Sequence, residues 1–333
     1  MTFLKLTLDN PDFLQPFDKT LADGTRLRLM DTGILRVSPN CKSNQKVVIS
    51  SGVHGNETAP MEIVDALVAD IESGQLVVAC EVLFIVGNPP AVNAEARFVG
   101  ENLNRLFSGK HQKSKTAEAR RAAQLEQVVR DFFNDTHADI PGDAAPRKLH
   151  YDLHTAIRGS ELEKFAVYPY LHSREWSRSQ IAFLESCGIQ AVLFSNQPSG
   201  TFSYFSSHEF GADAFTIELG KVRKFGENNM ANFEKMRAGL ASVISAKQSF
   251  QRRHSSIKLF SVVEEVIKRT EAFQLHVDDD AKNFTEFSAG VLLASDDGYE
   301  YRTQQDGERF VFPISNVPCG QRAMLVVAPT KLT

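Results

Sequence analysis

From residue 26 to residue 216, short β-branched runs alternate with segments whose apolar residues recur at helical spacing, and this alternation restricts the fold more than any other feature of the chain. Lys-Val-Val-Ile-Ser at 46–50 is a strand; after a loop, Met61, Val64, Leu67, Val68 and Ile71 mark one face of a helix. Residues 77–86 read as a buried strand that stops at the turn signal Gly87-Asn-Pro-Pro90. A polar helix is expected over 116–134, with Ala119, Ala123, Val128, Phe132 and Phe133 as its apolar positions. Leu149-His-Tyr-Asp-Leu-His154 alternates with period two and is a strand. Further strands fall at 165–168, 191–194 and 214–219, and further helices at 177–187 and 230–246. Strands and helices in turn give an α/β sheet covered by helices. The first nine residues, Met1 to Asp9, also alternate and read as a strand.

After residue 246 the character changes. Residues 248–256 are polar and read as a linker, and beyond them lie strand-like runs at 259–267, 272–277, 310–314 and 323–327 separated by turn clusters. The 333 residues, at about 150 per domain, suit about two domains. The division expected is an α/β domain over 1–250 and a smaller β-rich domain over 251–333. The acidic run Asp278-Asp-Asp280 lacks the ligand spacing of a calcium loop and reads as solvated, as does the Arg252-Arg-His254 cluster.

Lys and Arg number 37 against 41 Asp and Glu, a net charge of −4, so the chain has no overall attraction for nucleic acid or an anionic membrane. An anionic ligand must be met by locally placed cations. The four cysteines are dispersed without a C-x-x-C pair, which fits neither a disulfide framework nor a thiolate metal site and points to a reducing compartment. The start lacks a basic segment followed by an apolar one, and the longest apolar stretch is too short to cross a bilayer. A cytoplasmic protein is expected.

The sharpest local feature is Ser50-Ser-Gly-Val-His54-Gly-Asn-Glu57-Thr-Ala-Pro60. An H-x-x-E pair arises by chance about once in two chains of this size. Its position just past a strand is where open α/β sheets hold ligands. Asn56 and Thr58 could instead cap the next helix. On the strand 149–154, Asp152 and His154 project to one face while Tyr151 and Leu153 face the core. His154 at that strand's end completes a set of two imidazoles and one carboxylate with His54 and Glu57. That set is typical of catalytic zinc, with a fourth position open. Asp152 either orients a ligand or caps a helix, and His150, deeper on the same face, reads as a buried, hydrogen-bonded histidine. Glu218, at the end of another strand, is either a base beside the metal or an ion-pair partner of Lys221 or Arg223. The stretch 94–105 brings Arg97 and Arg105 together with amides, a combination suited to carboxylates.

Together these residues resemble the succinylglutamate desuccinylase/aspartoacylase family, within the wider zinc carboxypeptidase-like superfamily. The matching segments are Gly52-Val-His-Gly-Asn-Glu57, Gly87-Asn-Pro89, Asn102-Leu-Asn-Arg105, Asp152-Leu-His154 and Ile217-Glu-Leu-Gly220, in the family's order. The stretch from Asp152 through Arg158 to Ser160, followed by Lys164-Phe-Ala-Val-Tyr-Pro169, is more similar to the bacterial desuccinylase branch. The resemblance implies a mixed sheet flanked by helices, with a smaller C-terminal β-rich domain. It implies one zinc per subunit on His54, Glu57 and His154, with Glu218 and Arg97 catalytic. Asn104 and Arg105 would hold a substrate carboxylate, and Arg158 is a further candidate. No Tyr occurs in 314–320, where aspartoacylases supply one. The activity implied is zinc-dependent hydrolysis of N-succinyl-L-glutamate in arginine catabolism, on a small dicarboxylate amide, with neither nucleic acid nor membrane as partner and a homo-oligomer left open. The alternatives are hydrolysis of another N-acyl amino acid, or a non-catalytic binding protein on the same scaffold.

Overall fold

A computed structural model of the chain describes residues 2–136, 145–247, 256–278 and 280–332. Its centre is a 13-stranded mixed sheet in the order β1-β2-β3-β5-β4-β6-β9-β7-β8-β10-β16-β15-β12. Three strands, β1 (Phe17–Thr20), β2 (Arg26–Asp31) and β3 (Ile34–Ser38), form an antiparallel edge. The middle is parallel, with β4 (Gln45–Ser51), β5 (Glu81–Val86), β6 (Arg147–Ala156) and β9 (Asp213–Lys221) side by side. Next come β7 (Phe165–Tyr168), antiparallel to β9, and β8 (Ala191–Phe194).

Period-two burial sorts the side chains between two helical layers. Val47, Ile49, Val82, Phe84, Leu149, Tyr151 and Leu153 pack against α1 (Phe3–Asp9), α2 (Thr58–Glu72), α5 (Arg178–Ser186) and α7 (Glu234–Ile244). Val48, Leu83 and Ile85 face α4 (Ala117–Asn134) and α6 (Phe202–Phe210). A short α3 (Pro89–Asn93) starts at the predicted Gly-Asn-Pro-Pro turn.

The N-terminal strand expected at 1–9 is a helix. Thr2 caps it by accepting from the Lys5 amide at 3.3 Å, and Lys5 pairs with Asp9 one turn on at 2.9 Å. Phe3 and Thr7 make the buried face, an i, i+4 pair that the alternation of Leu4, Leu6 and Leu8 hides. On α4 the buried stripe is Ala119, Ala122, Leu125, Val129, Phe132 and Phe133, so Ala123 and Val128 sit at its margin. The helix expected at 230–246 is a 3-10 turn, Met230–Phe233, followed by α7. Most of the expected linker, with Arg252 and His254, lies outside the described residues.

The C-terminal segment is β-rich as expected. It comprises β10 (Lys258–Ile267), β11 (Gln274–Leu275), β12 (Glu286–Phe287), β13 (Leu292–Asp296), β14 (Tyr299–Arg302), β15 (Glu308–Val311) and β16 (Arg322–Pro329). Three of these, β11, β13 and β14, make a separate small sheet. The rest extend the main sheet, because β10 lies parallel to β8 with Phe260 opposite Leu193. Phe165, Leu193, Phe260, Phe284 and Leu325 share one buried cluster across that junction.

Candidate metal centre and surrounding cleft

The loop after β4 is pressed onto its neighbour. A Cβ on Gly55 would come within 2.1 Å of the Ala91 backbone, and the Gly55 amide donates to the Arg97 carbonyl at 3.1 Å. Only glycine allows that approach, which fixes His54 and Glu57 on either side. Neither Asn56 nor Thr58 caps α2; the Thr58 hydroxyl donates to the Arg223 carbonyl at 2.8 Å. Glu57 is the cap residue, and its carboxylate turns into the site. Oε1 lies 2.9 Å from His54 Nδ1 and 2.7 Å from Arg97 Nη1, while Oε2 lies 2.8 Å from His154 Nδ1 and accepts from the Thr155 amide at 3.1 Å. Burial alone would raise the Glu57 carboxyl, but the protonated His154 beside it holds it well below the usual range.

The imidazoles are oriented from behind. Asn102 Oδ1, already an acceptor for the Asn104 amide at 3.1 Å, lies 3.0 Å from His54 Nε2 and so takes that nitrogen's proton. Burial lowers the pKa of His54 to about 4, leaving the ring neutral with Nδ1 bare. Two lone pairs, on Nδ1 and on the ionised Glu57 oxygen, thus face each other at 2.9 Å, a pairing that favours a cation. Asp152 Oδ2 lies 3.0 Å from His154 Nε2, which directs His154 Nδ1 to Glu57. Burial disfavours a charged His154, yet Asp152 and Glu57 outweigh it and raise the ring's pKa well above its ordinary value. A divalent ion competes with that proton for Nδ1. Ligand atoms of His54, Glu57 and His154 all lie within 4.8 Å of one another, forming a metal-type cluster among the described residues. The set fits a metal. Of the two readings of Asp152, the orienting one is what the structure shows.

Glu218 stands beside this cluster because β9 runs parallel to β6 with Glu218 opposite His154. It is 6% exposed, its Oε2 has no hydrogen-bond partner, and among the described residues it pairs with neither Lys221 nor Arg223. Burial, then the Glu57 charge, pushes its pKa up to about 7. His150 is the buried histidine expected, between the hydroxyls of Ser50 and Ser206 at 2.8 Å each.

Three arginines lie near this cluster or one another. Arg97 sits on Glu57. Asn104 is buried, its Oδ1 accepting from the Phe202 amide at 2.9 Å, with Nδ2 toward His154 at 3.5 Å. Arg105 donates to the Asn104 carbonyl at 2.8 Å and forms no ion pair among the described residues. Burial, and then the charges of Arg322 and Arg97, lower its pKa to about 9. Arg322, at the start of β16, lies over the Phe312 ring at 6.0 Å. Nothing in the sequence distinguishes Arg322 from a solvated strand-end residue. Asn102 was visible only as one amide among several. Arg158 donates to the Asp278 carbonyl at 3.2 Å.

A layered α/β sheet with two imidazoles, a carboxylate and an acid with an unpartnered oxygen gathered at one place has the side chains of a metal-dependent hydrolase. The Succinylglutamate desuccinylase/Aspartoacylase catalytic domain family matches residues 43–244, the AstE/AspA barrel-sandwich hybrid domain matches 255–330, and the chain belongs to this family. It is 44% identical to a succinylglutamate desuccinylase of Pseudoalteromonas atlantica, over 99% of this chain and 95% of that one. It is likewise 44% identical to one of Pseudomonas aeruginosa, over 99% and 98%. A crystal structure of the Vibrio parahaemolyticus protein of that name superposes with a TM-score of 0.91 at 37% identity, covering 99% of this chain and 96% of that one. The Chromobacterium violaceum structure gives 0.86 at 38%, covering 99% and 98%. Among the described residues no helix is long and apolar enough to cross a membrane.

Proposed function

We propose that the chain is a zinc-dependent amidohydrolase that cleaves N-succinyl-L-glutamate to succinate and L-glutamate, the last step of a succinyltransferase route of arginine breakdown in the cytoplasm. The observation that carries the reading is Glu218, a buried acid with an unpartnered oxygen beside a His-Glu-His cluster. The names of the full-length relatives support the substrate.

His54, Glu57 and His154 would hold the zinc, which would supply Lewis acidity to the carbonyl and to the attacking water. Glu218 Oε2 accepts the proton of the attacking water and returns it to the departing nitrogen. Arg97 is assigned to the oxyanion that develops on the amide carbonyl, where losing one donor costs about 100-fold or more. The substrate's three carboxylates need cations, and Arg105 and Arg322, neither in an ion pair among the described residues, are assigned to them, with the Asn104 amide group beside Arg105.

The test is release of glutamate from N-succinylglutamate by the purified chain, with a chelator control and N-acetylaspartate in parallel. Chelator-sensitive hydrolysis of the succinyl substrate is expected. Faster cleavage of N-acetylaspartate would reject the substrate. Glu218→Gln should keep its metal and lose about 100- to 10,000-fold in kcat; full activity would reject Glu218 as the base.

A further inference from the structure

Beneath the metal ligands, α6 meets the centre of the sheet across side chains that are polar and wholly buried. Ser50 on β4, His150 and Asp152 on β6, and Ser206 on α6 each have 0% exposure. Their hydrogen-bond capacities fix where the protons are. The Asp152 carboxylate only accepts: Oδ1 takes the Ser50 hydroxyl at 2.5 Å, and Oδ2 takes His154 Nε2–H at 3.0 Å. Having given its single proton to Asp152, the Ser50 oxygen accepts from His150 Nε2 at 2.8 Å. Burial keeps His150 neutral, with its pKa lowered to about 4, so its one proton is on Nε2. Bare Nδ1 then accepts from the Ser206 hydroxyl at 2.8 Å. Each donor from Ser206 through His150 and Ser50 to Asp152 therefore points the same way.

We infer that Ser206, His150 and Ser50 are positioning residues for His154, their one-way chain of donors holding Asp152 Oδ1 so that Oδ2 takes His154 Nε2–H and His154 presents Nδ1 to Glu57. The inference rests on the metal reading of His54, Glu57 and His154. Without the Ser206 hydroxyl, His150 can move its proton to Nδ1 and turn bare Nε2 to Ser50. The Ser50 proton is then drawn to His150, and Asp152 loses a donor at a place wholly buried from solvent. The chain also accounts for Ser206 on α6, whereas Ser203 pairs with Thr216 and Ser207 accepts from Arg174. A helix lying on a sheet ordinarily presents apolar residues there, as Phe202 and Phe205 do, yet Ser203, Ser206 and Ser207 are buried too.

The experiment uses the full chain with ¹⁵N-labelled histidine. Long-range ¹H–¹⁵N correlations report the His150 tautomer, and competition with a chromophoric chelator gives the zinc dissociation constant. The expected results are an Nε2–H His150 in the parent chain, and zinc affinity about tenfold weaker in Ser206→Ala and Ser50→Ala. Ser206→Thr, which keeps the hydroxyl, should restore both tautomer and affinity. An Nδ1–H His150 in the parent chain overturns the inference, and that reading needs no variant to fold. Parent-like zinc affinity in both alanine variants overturns it as well, while leaving the metal reading intact. A parent chain that binds no zinc removes the metal reading and the inference together.

Discussion

Replacing Arg105 with methionine separates what this guanidinium costs the fold from what it does for a ligand. Methionine keeps an unbranched stem in place and removes only the charge and its hydrogen bonds. A base whose folded pKa is lowered costs stability at every pH below that value, and the cost fades as pH rises through it. For Arg105 the fall from 12.5 to about 9 is worth about 5 kcal/mol at about 1.4 kcal/mol per unit. Solvent around the half-buried group reduces this, leaving about 2 kcal/mol. Arg105→Met is therefore expected to unfold at higher urea concentration than the parent chain at pH 7, by about 2 kcal/mol, in ligand-free protein. The gap should narrow above about pH 9. The same change removes a desolvated partner for a substrate carboxylate, worth about 2–5 kcal/mol, so KM should rise roughly 30- to 3,000-fold. A more stable and weaker-binding enzyme is the signature. If Arg105→Met proved less stable than the parent, or kept the parent KM, the reading of Arg105 as an unpaired site cation would be wrong.

Arg322→Gln should raise KM for the succinyl substrate about tenfold or more with kcat little changed, since it removes a charged contact and no reacting group; steady-state kinetics at saturating zinc measure it. Phe165→Ala should cost about 3–5 kcal/mol in urea unfolding, because Phe165 packs edge-on to Phe284 at 5.0 Å and against Phe312 at 5.5 Å, joining the two parts of the chain.

What sequence could reveal depended on the range of the signal. The face shared by His150, Asp152 and His154 follows from the two-residue period of a strand, and the core layer holding Leu149, Tyr151 and Leu153 agrees with it. That His54 and Glu57 would meet His154 required strand order, which local pattern does not encode. Chain order puts β5 between β4 and β6, but the sheet sets β5 on the far side of β4 and leaves Ser50 opposite Asp152. The same applies to Glu218, which only the register of β9 on β6 sets opposite His154. Helix α6 gave no periodic signal because serines share its buried face with phenylalanines. At the N-terminus, Leu4, Leu6 and Leu8 share one parity and mimic a strand, whereas Phe3 and Thr7 form the buried helical face and Thr2 caps it.

The parallel ladder between β8 and β10 constrains how a substrate can arrive. Swinging the C-terminal strands outward as a flap would tear four backbone pairings, from Ala191 to Phe194, and expose the aromatic junction around Phe165 to water. A route to the His54, Glu57 and His154 cluster is therefore opened by side-chain rotations and small loop shifts rather than by a swinging domain.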